Sequence, residues 1–262
     1  MPTCRPPETR SHRASDPKTM APVSENQTSQ VSAPAADVGR VGAAPLLLVY
    51  GGTFDPVHHG HLAIAREARD ALGVPVQFMP AADPPHRPPT GADASQRAAM
   101  LALALADEPD FHIDLRELRR DGPSYSVESL REMRRDIGAT TPVALLVGAD
   151  SLLGLPTWRE WRALLGLTHF VVADRTGSAL DRRLPPELAE ALEGRWSDAP
   201  DALRAEPAGR LLRLGQTLHP GSATRVRTEI AARGAWRDLV PAAVADYIVR
   251  HRLYGADTPG PV

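Results

Sequence analysis

The sequence predicts an α/β protein: an open, mainly parallel sheet with helices on both faces, in a single domain. Two patterns carry this reading. Short apolar runs alternate with helical patterns along the chain, and the strongest runs are unbroken, as in strands covered on both faces. Strands separated by single helices then imply right-handed crossovers and parallel pairing. Size agrees, since 262 residues suit one such domain and are few for two.

The elements follow in order. Residues 45–50 are a continuous apolar run ending at Gly51 and Gly52, a strand buried on both faces. Residues 61–72 form a helix, with Leu62, Ala65, Ala68 and Leu72 on one stripe and Gly73 as its stop. Residues 74–80 make the next strand, and 95–106 a helix with Ser95 as N-cap. A short strand is expected over 111–115, a helix over 126–136 and a buried strand over 142–148. Residues 158–165 read as a short helix, 169–173 as a strand and 211–214 as a weaker strand. Residues 177–209, rich in Pro, Glu and Ala, read as a helical excursion between strands. Helices over 224–233 and 241–253 close the chain. This plan is Rossmann-like, and in such sheets ligands sit beyond the carboxyl ends of the strands, facing helix N-termini. The chemistry is therefore expected just after Tyr50, Met79, Val147, Ala173 and Leu214.

The ends read differently. Residues 1–44 hold six prolines, few large apolar side chains and no periodicity. Burial there cannot offset chain entropy, so 1–44 is expected to be a disordered extension, 45–256 the folded domain and 257–262 a frayed end. The extension lacks the apolar core of a secretory signal, and Glu8, Asp16, Glu25 and Asp37 argue against an organellar presequence. A cytoplasmic location is the expectation.

Composition excludes several classes. The formal net charge of −2 gives no reason to expect a long nucleic acid as partner. No apolar stretch approaches the ~18 residues that span a bilayer, so no membrane partner is expected. Cys4 is the sole cysteine, which rules out an intramolecular disulfide and any cysteine-built metal site. Lys18, in the N-terminal extension, is the sole lysine. A P-loop lysine, a kinase strand lysine and a Schiff-base lysine are thereby excluded from the folded part. Phosphate chemistry would have to run on arginine, histidine and backbone N–H groups.

One cluster supplies such groups. Gly51, Gly52, Thr53, Phe54, Asp55, Pro56 and Val57 lead into His58, His59, Gly60 and His61, directly after the first strand. The glycines permit close approach of a ligand to the backbone. His58 and His61 are three apart, so at a helix start both rings can face one side, and Gly60 leaves space between them. The helix N–H groups add partial positive charge, which makes an anion site with two imidazole donors. Taken alone, a Gly-Gly pair is only a turn. The two histidines could also belong to a zinc site with His86 approaching from another strand, although no third ligand has suitable spacing and no metal site is expected.

This cluster resembles the HxGH motif of the nucleotidylyltransferase superfamily. A second superfamily pattern, Ile-Ser-Ser-Thr-x-x-Arg, is matched by Gly221, Ser222, Ala223, Thr224, Arg225, Val226 and Arg227, with departures at Gly221 and Ala223. Ser222 and Thr224 can cap a helix whose N–H groups face an anion, and Arg227 adds a permanent charge. The intervening segments are similar to bacterial nicotinate-nucleotide adenylyltransferases over roughly 46–254. The matching pieces are Pro84-Pro85-His86-Arg87, Pro123-Ser124-Tyr125-Ser126, Val147 through Leu152, Pro156-Thr157-Trp158, Asp174-Arg175, Leu239-Val240-Pro241 through Tyr247-Ile248, and the closing Leu253-Tyr254.

The resemblance implies adenylyl transfer from ATP to nicotinate mononucleotide, giving deamido-NAD and pyrophosphate, with Mg2+ carried on ATP. It implies contact of His58 and His61 with the nucleotide phosphates. The backbones of 51–54 and 222–224, with Gly60 and Arg227, would hold the triphosphate. Asp150 would accept from a ribose hydroxyl or the adenine side, and could equally cap the following turn. Trp158 would stack the nicotinate ring, with backbone N–H groups beside Tyr125, near Ser126 and Arg159, receiving its carboxylate. A hydrophobic plug is the alternative for Trp158. Arg87 and Arg175 resemble family arginines near the mononucleotide and phosphates, or are solvated surface charge. Dual acceptance of the nicotinamide nucleotide stays open, as does a non-catalytic nucleotide-binding regulator on the same fold. An acceptor without a ring, such as phosphopantetheine, would leave Tyr125 and Trp158 without a role. A class I synthetase, which has a similar HIGH motif, would need a lysine that the folded part lacks. The sequence does not specify an oligomeric state.

Overall fold

The apolar run after residue 45 becomes the central strand β1 (Leu47–Gly52) in a computed structural model of the chain. The structure describes residues 46–82, 91–120, 122–175, 180, 184–216 and 221–256. The expected disordered extension 1–44 and frayed 257–262 lie outside the described residues, as does Arg87. Arg175 ends a strand, but its side chain also lies outside them.

Six further strands complete the sheet: β2 (Val76–Pro80), β3 (Phe111–Ile113), β4 (Val143–Gly148), β5 (His169–Arg175), β6 (Trp196–Ser197) and β7 (Leu211–Gln216). Their order is β3-β2-β1-β4-β5-β7-β6, and every described pair is parallel. The chain runs outward from β1 to β3 and returns to β4 on the other side of β1. That reversal opens a crevice at the carboxyl ends of β1 and β4.

The unbroken apolar strands are explained by two cores. Leu48 and Tyr50 of β1, Ala144 and Leu146 of β4, and Val171 and Ala173 of β5 face one core. Val49, Val143, Leu145, Val147, Phe170 and Val172 face the other. Because successive side chains alternate, a strand buried on both faces must be apolar at every position.

The helices are α1 (His59–Leu72), α2 (Ala94–Leu105), α3 (Ser126–Ile137), α4 (Ala149–Leu153), α5 (Trp161–Leu164), α6 (Pro186–Leu192), α7 (Ala202–Ala205), α8 (Ala223–Ala231) and α9 (Ala242–Arg250). In α1 the expected stripe of Leu62, Ala65, Ala68 and Leu72 is buried, and Gly73 ends the helix at φ 62°.

Four local readings are corrected. Asp93, not Ser95, caps α2, because Asp93 and Gln96 form a reciprocal capping box. Residues 158–165 are not one helix. Leu155–Thr157 is a 3-10 turn, Trp158 is extended, and Glu160 at φ 49° must reverse the chain before α5 begins. Asp150 lies in α4, which the sequence reading left out. The stretch 177–209 is not wholly helical, since Trp196 and Ser197 add an edge strand beside β7.

Candidate active site

The turn after β1 is built from two histidines that complete each other. His58 is the N-cap of α1, and its Nδ1 accepts from the His61 N–H at 3.3 Å. The Nδ1 of His61 accepts from the His58 N–H, also at 3.3 Å. The rings stack with centroids 3.7 Å apart. Each accepting Nδ1 directs the proton of a neutral imidazole to Nε2, where it is a donor. His58 is buried, and His61 is half-buried against Phe54 and Tyr50. Phe54 itself is a core residue, 2% exposed, so what it offers a ligand is backbone alone.

A second helix N-terminus meets the first. Ser222 caps α8 by accepting from the Arg225 N–H at 3.1 Å. A methyl group on Gly60 would lie 2.8 Å from the Gly221 carbonyl and 2.9 Å from His58 Nδ1. Glycine is therefore required at 60 by the protein's own packing, and not only by the room a ligand would need between the two histidines. Neither helix has an acidic residue in its first turn to offset its positive end. Thr224 lies in the first turn of α8 and is exposed. From the same helix Arg227 Nη1 donates to the Asp55 carbonyl at 2.6 Å, which fixes α8 against the turn after β1.

The turn is held from behind by a residue the sequence reading missed. Arg97, on α2, is fully buried. Its guanidinium donates to the carbonyls of Thr53 (2.7 Å), Ala81 (2.6 Å), Ala82 (2.5 Å) and, through Nε, Ala92 (3.3 Å). Residues 53, 81 and 82 follow two adjacent strands, so one side chain aligns both strand ends. The signal was present: Arg97 sits on the stripe otherwise made of Met100, Leu101, Ala104 and Leu105. A charge on an apolar stripe has to find polar partners inside.

A second locus forms where the start of α3 meets the segment after α4. Ser124 Oγ accepts from the Ala82 N–H at 3.0 Å and joins the start of α3 to the end of β2. Ser126 opens α3; the Glu128 N–H turns back to the Tyr125 carbonyl at 3.0 Å, and the N–H groups of Ser126 and Val127 have no intrahelical carbonyl to serve. The Arg159 guanidinium lies over the Tyr125 ring at 4.6 Å, so the two pieces expected to flank one ligand meet. Trp158 is half-buried and packs on the core between α3 and α5, a placement that includes the plug reading. Arg131 clamps Glu160 with both guanidinium nitrogens, at 3.2 and 2.5 Å. Asp150 is exposed beside the crevice, and no described contact joins it to the histidines. Asp174, buried at the end of β5, is bound by Arg213.

Among the described residues no group of three or more His, Cys, Asp or Glu side chains is placed to hold a metal ion. His86, the third ligand a zinc site would have used, lies outside them. No helix of the described residues is long and apolar enough to cross a membrane.

The cytidylyltransferase-like family model matches residues 49–229, from β1 through Arg227. A protein of Stenotrophomonas maltophilia (strain K279a), named "Probable nicotinate-nucleotide adenylyltransferase", is 58% identical over 219 residues, covering 82% of this chain and 99% of that protein. The chain belongs to the nicotinate-nucleotide adenylyltransferase family. A like-named protein of Xylella fastidiosa (strain M12) is 47% identical, covering 80% of this chain and 96% of its own length. Among solved structures, Plasmodium falciparum nicotinic acid mononucleotide adenylyltransferase complexed with NaAD superposes with a TM-score of 0.61 at 12% identity. It covers 81% of this chain and 98% of that one, a likeness of fold. The adenylyltransferase family thus extends over both the paired helix N-termini and the Tyr125–Arg159 locus.

Proposed function

We propose that the chain transfers the adenylyl group of Mg-ATP to nicotinate mononucleotide, forming deamido-NAD and pyrophosphate. The observation that carries this reading is the meeting of two capped helix N-termini at Gly60 and Gly221, with the paired imidazoles of the first helix beside the contact. Such a cradle suits a polyphosphate. A phosphate oxygen of the mononucleotide attacks the α-phosphorus in line. The bond from that phosphorus to the oxygen bridging to the β-phosphate breaks, and pyrophosphate leaves with the electron pair. The attacking phosphate is already ionised at neutral pH, so the residues need only position the groups and stabilise charge.

In this reading His61 Nε2 faces the α- and β-phosphates and His58 supports it through the reciprocal cap. The backbones of Gly51, Gly52, Thr53 and Phe54, with Gly60, Ser222, Thr224 and Arg227, hold the β- and γ-phosphates. Asp150 accepts from the nucleoside. Tyr125, Ser126, Trp158 and Arg159 take the nicotinate ring and its carboxylate, with Arg87 and Arg175 near the mononucleotide and the phosphates. Magnesium arrives as part of the nucleotide substrate, and a cytoplasmic location goes with the reading.

The test is pyrophosphate release by the purified chain with Mg-ATP and either nicotinate or nicotinamide mononucleotide. Release strongly favouring the nicotinate form is expected. Equal rates would keep the transfer and remove the selectivity, and no release with either would overturn the proposal.

A further inference from the structure

The end of the described chain folds back onto the turn that follows β1. Leu253–Gly255 forms a 3-10 turn in which Tyr254 lies at φ 57°, between Arg252 at φ 51° and Gly255 at φ 81°. A bulky residue holds that conformation only where its surroundings dictate it. Two contacts do so. The Tyr254 hydroxyl donates to Asp55 Oδ1 at 2.7 Å. Its ring lies so close over Gly91 that a methyl group there would be 2.6 Å from the ring carbons.

Asp55 is a hub. It is 7% exposed, and its carboxylate also accepts from the N–H groups of Gly91 (2.9 Å) and Ala92 (3.1 Å). Arg227 Nη1 stands 3.9 Å from Asp55 Oδ2, yet donates to the Asp55 backbone carbonyl at 2.6 Å. A guanidinium beside a buried carboxylate ordinarily turns onto it in a bidentate pair. Here the Tyr254 hydroxyl and the Ala92 N–H hold Oδ1 and the Gly91 N–H holds Oδ2, so the carboxylate is pinned in orientation with Oδ2 3.9 Å from Arg227, and the Tyr254 contact is the shortest of the three.

We propose that Tyr254 is a positioning residue for the triphosphate site. By fixing the orientation of the Asp55 carboxylate it keeps Arg227 on the backbone carbonyl, with the rest of the guanidinium directed at the nucleotide. Without the hydroxyl the carboxylate loses its shortest restraint and turns toward Arg227, which moves onto it and away from phosphate. The inference rests on the adenylyl-transfer reading for its kinetics, but its binding test does not.

Tyr254→Phe keeps the ring over Gly91 and deletes only the hydroxyl. The full-length variant is expected to raise KM for Mg-ATP about tenfold, a single hydrogen bond's worth of differential binding, with KM for nicotinate mononucleotide unchanged. A non-hydrolysable ATP analogue, titrated calorimetrically, should weaken by the same factor. In an Arg227→Ala background the further change Tyr254→Phe should leave analogue affinity unaltered, because the residue acts through Arg227. A merely structural tyrosine would lower the melting temperature and leave that affinity alone, or would act additively with Arg227→Ala. Either result overturns the proposal. If wild type binds the analogue but releases no pyrophosphate, the reaction fails while the analogue titrations still decide the role of Tyr254.

Discussion

His58 and His61 stack at 3.7 Å while each ring accepts the backbone N–H of the other. The pair does the work usually given to Ser and Glu in a capping box, and does so with groups that also present Nε2 donors. One pair of side chains therefore ends the strand-to-helix turn and furnishes the candidate phosphate contacts. Substituting either should affect folding and turnover to very different extents.

For His61→Ala, loss of the cap should cost about 1 kcal/mol of stability. Loss of a donor to developing charge should lower kcat about 10²- to 10³-fold. Thermal melting and steady-state pyrophosphate release on the same preparation separate the two. Turnover within a few-fold of wild type would remove His61 from the reaction.

Gly60→Ala should be disproportionately harmful for one methyl group. The new Cβ meets the Gly221 carbonyl and His58 Nδ1, neither of which can yield without moving the start of α8 or breaking the cap. Overpacking of this kind costs about 1–3 kcal/mol. Affinity for an ATP analogue should fall together with stability. A variant that binds the analogue like wild type would show that the two helix N-termini need not touch.

Arg97→Met should destabilise the chain by about 3 kcal/mol, since the buried carbonyl of Ala92 and the part-buried carbonyls of Thr53, Ala81 and Ala82 lose their donor. Arg97→Lys should recover little, because one ammonium cannot reach carbonyls spread along a planar fork. Urea unfolding measures both. Equal stability of the Lys variant and wild type would contradict the fork geometry.

His169 predicts a pH dependence. Burial holds its pKa below the ordinary value, outweighing the backbone contact at Glu206 that acts the other way. The Arg210 N–H donates to Nδ1 at 2.9 Å, and Nε2 lies 2.8 Å from the Glu206 carbonyl, so the neutral Nε2–H form fits both partners. The unfolded chain thus binds more protons than the folded one as pH falls through about 6.5. Stability from this group is present above that pH and is lost on acidification. Urea midpoints from pH 8 to 5 should fall for wild type and fall less for His169→Gln. Parallel profiles would exclude His169 as the source.

The parts of this molecule that could be read from the chain are those whose physics is local. The stripe of α1, its glycine stop and the doubly buried strands follow from periodicity, and the two histidines declare themselves by their spacing from Gly60. The capping choice at Asp93 over Ser95 is equally local: it is decided by Gln96, three residues on, which completes the reciprocal box. The break at Trp158 was not legible in the same way: Glu160 adopts a left-handed backbone there, with Arg131 of a different helix clamping its carboxylate.

Periodicity and composition set the layered α/β plan, the absence of lysine from the described residues and the places where strands hand over to helices. Tertiary structure alone decided how those places are joined. Asp55 and Tyr254 lie 199 residues apart, and Asp55 and Arg227 172 apart. Nothing in the neighbourhood of any one of them specifies the others. Parallel pairing delivers every strand's carboxyl end to one edge of the sheet, so residues distant in the chain become neighbours there. Which of them share a proton donor or a carbonyl depends on the order β3-β2-β1-β4-β5-β7-β6, and periodicity carries no record of that order.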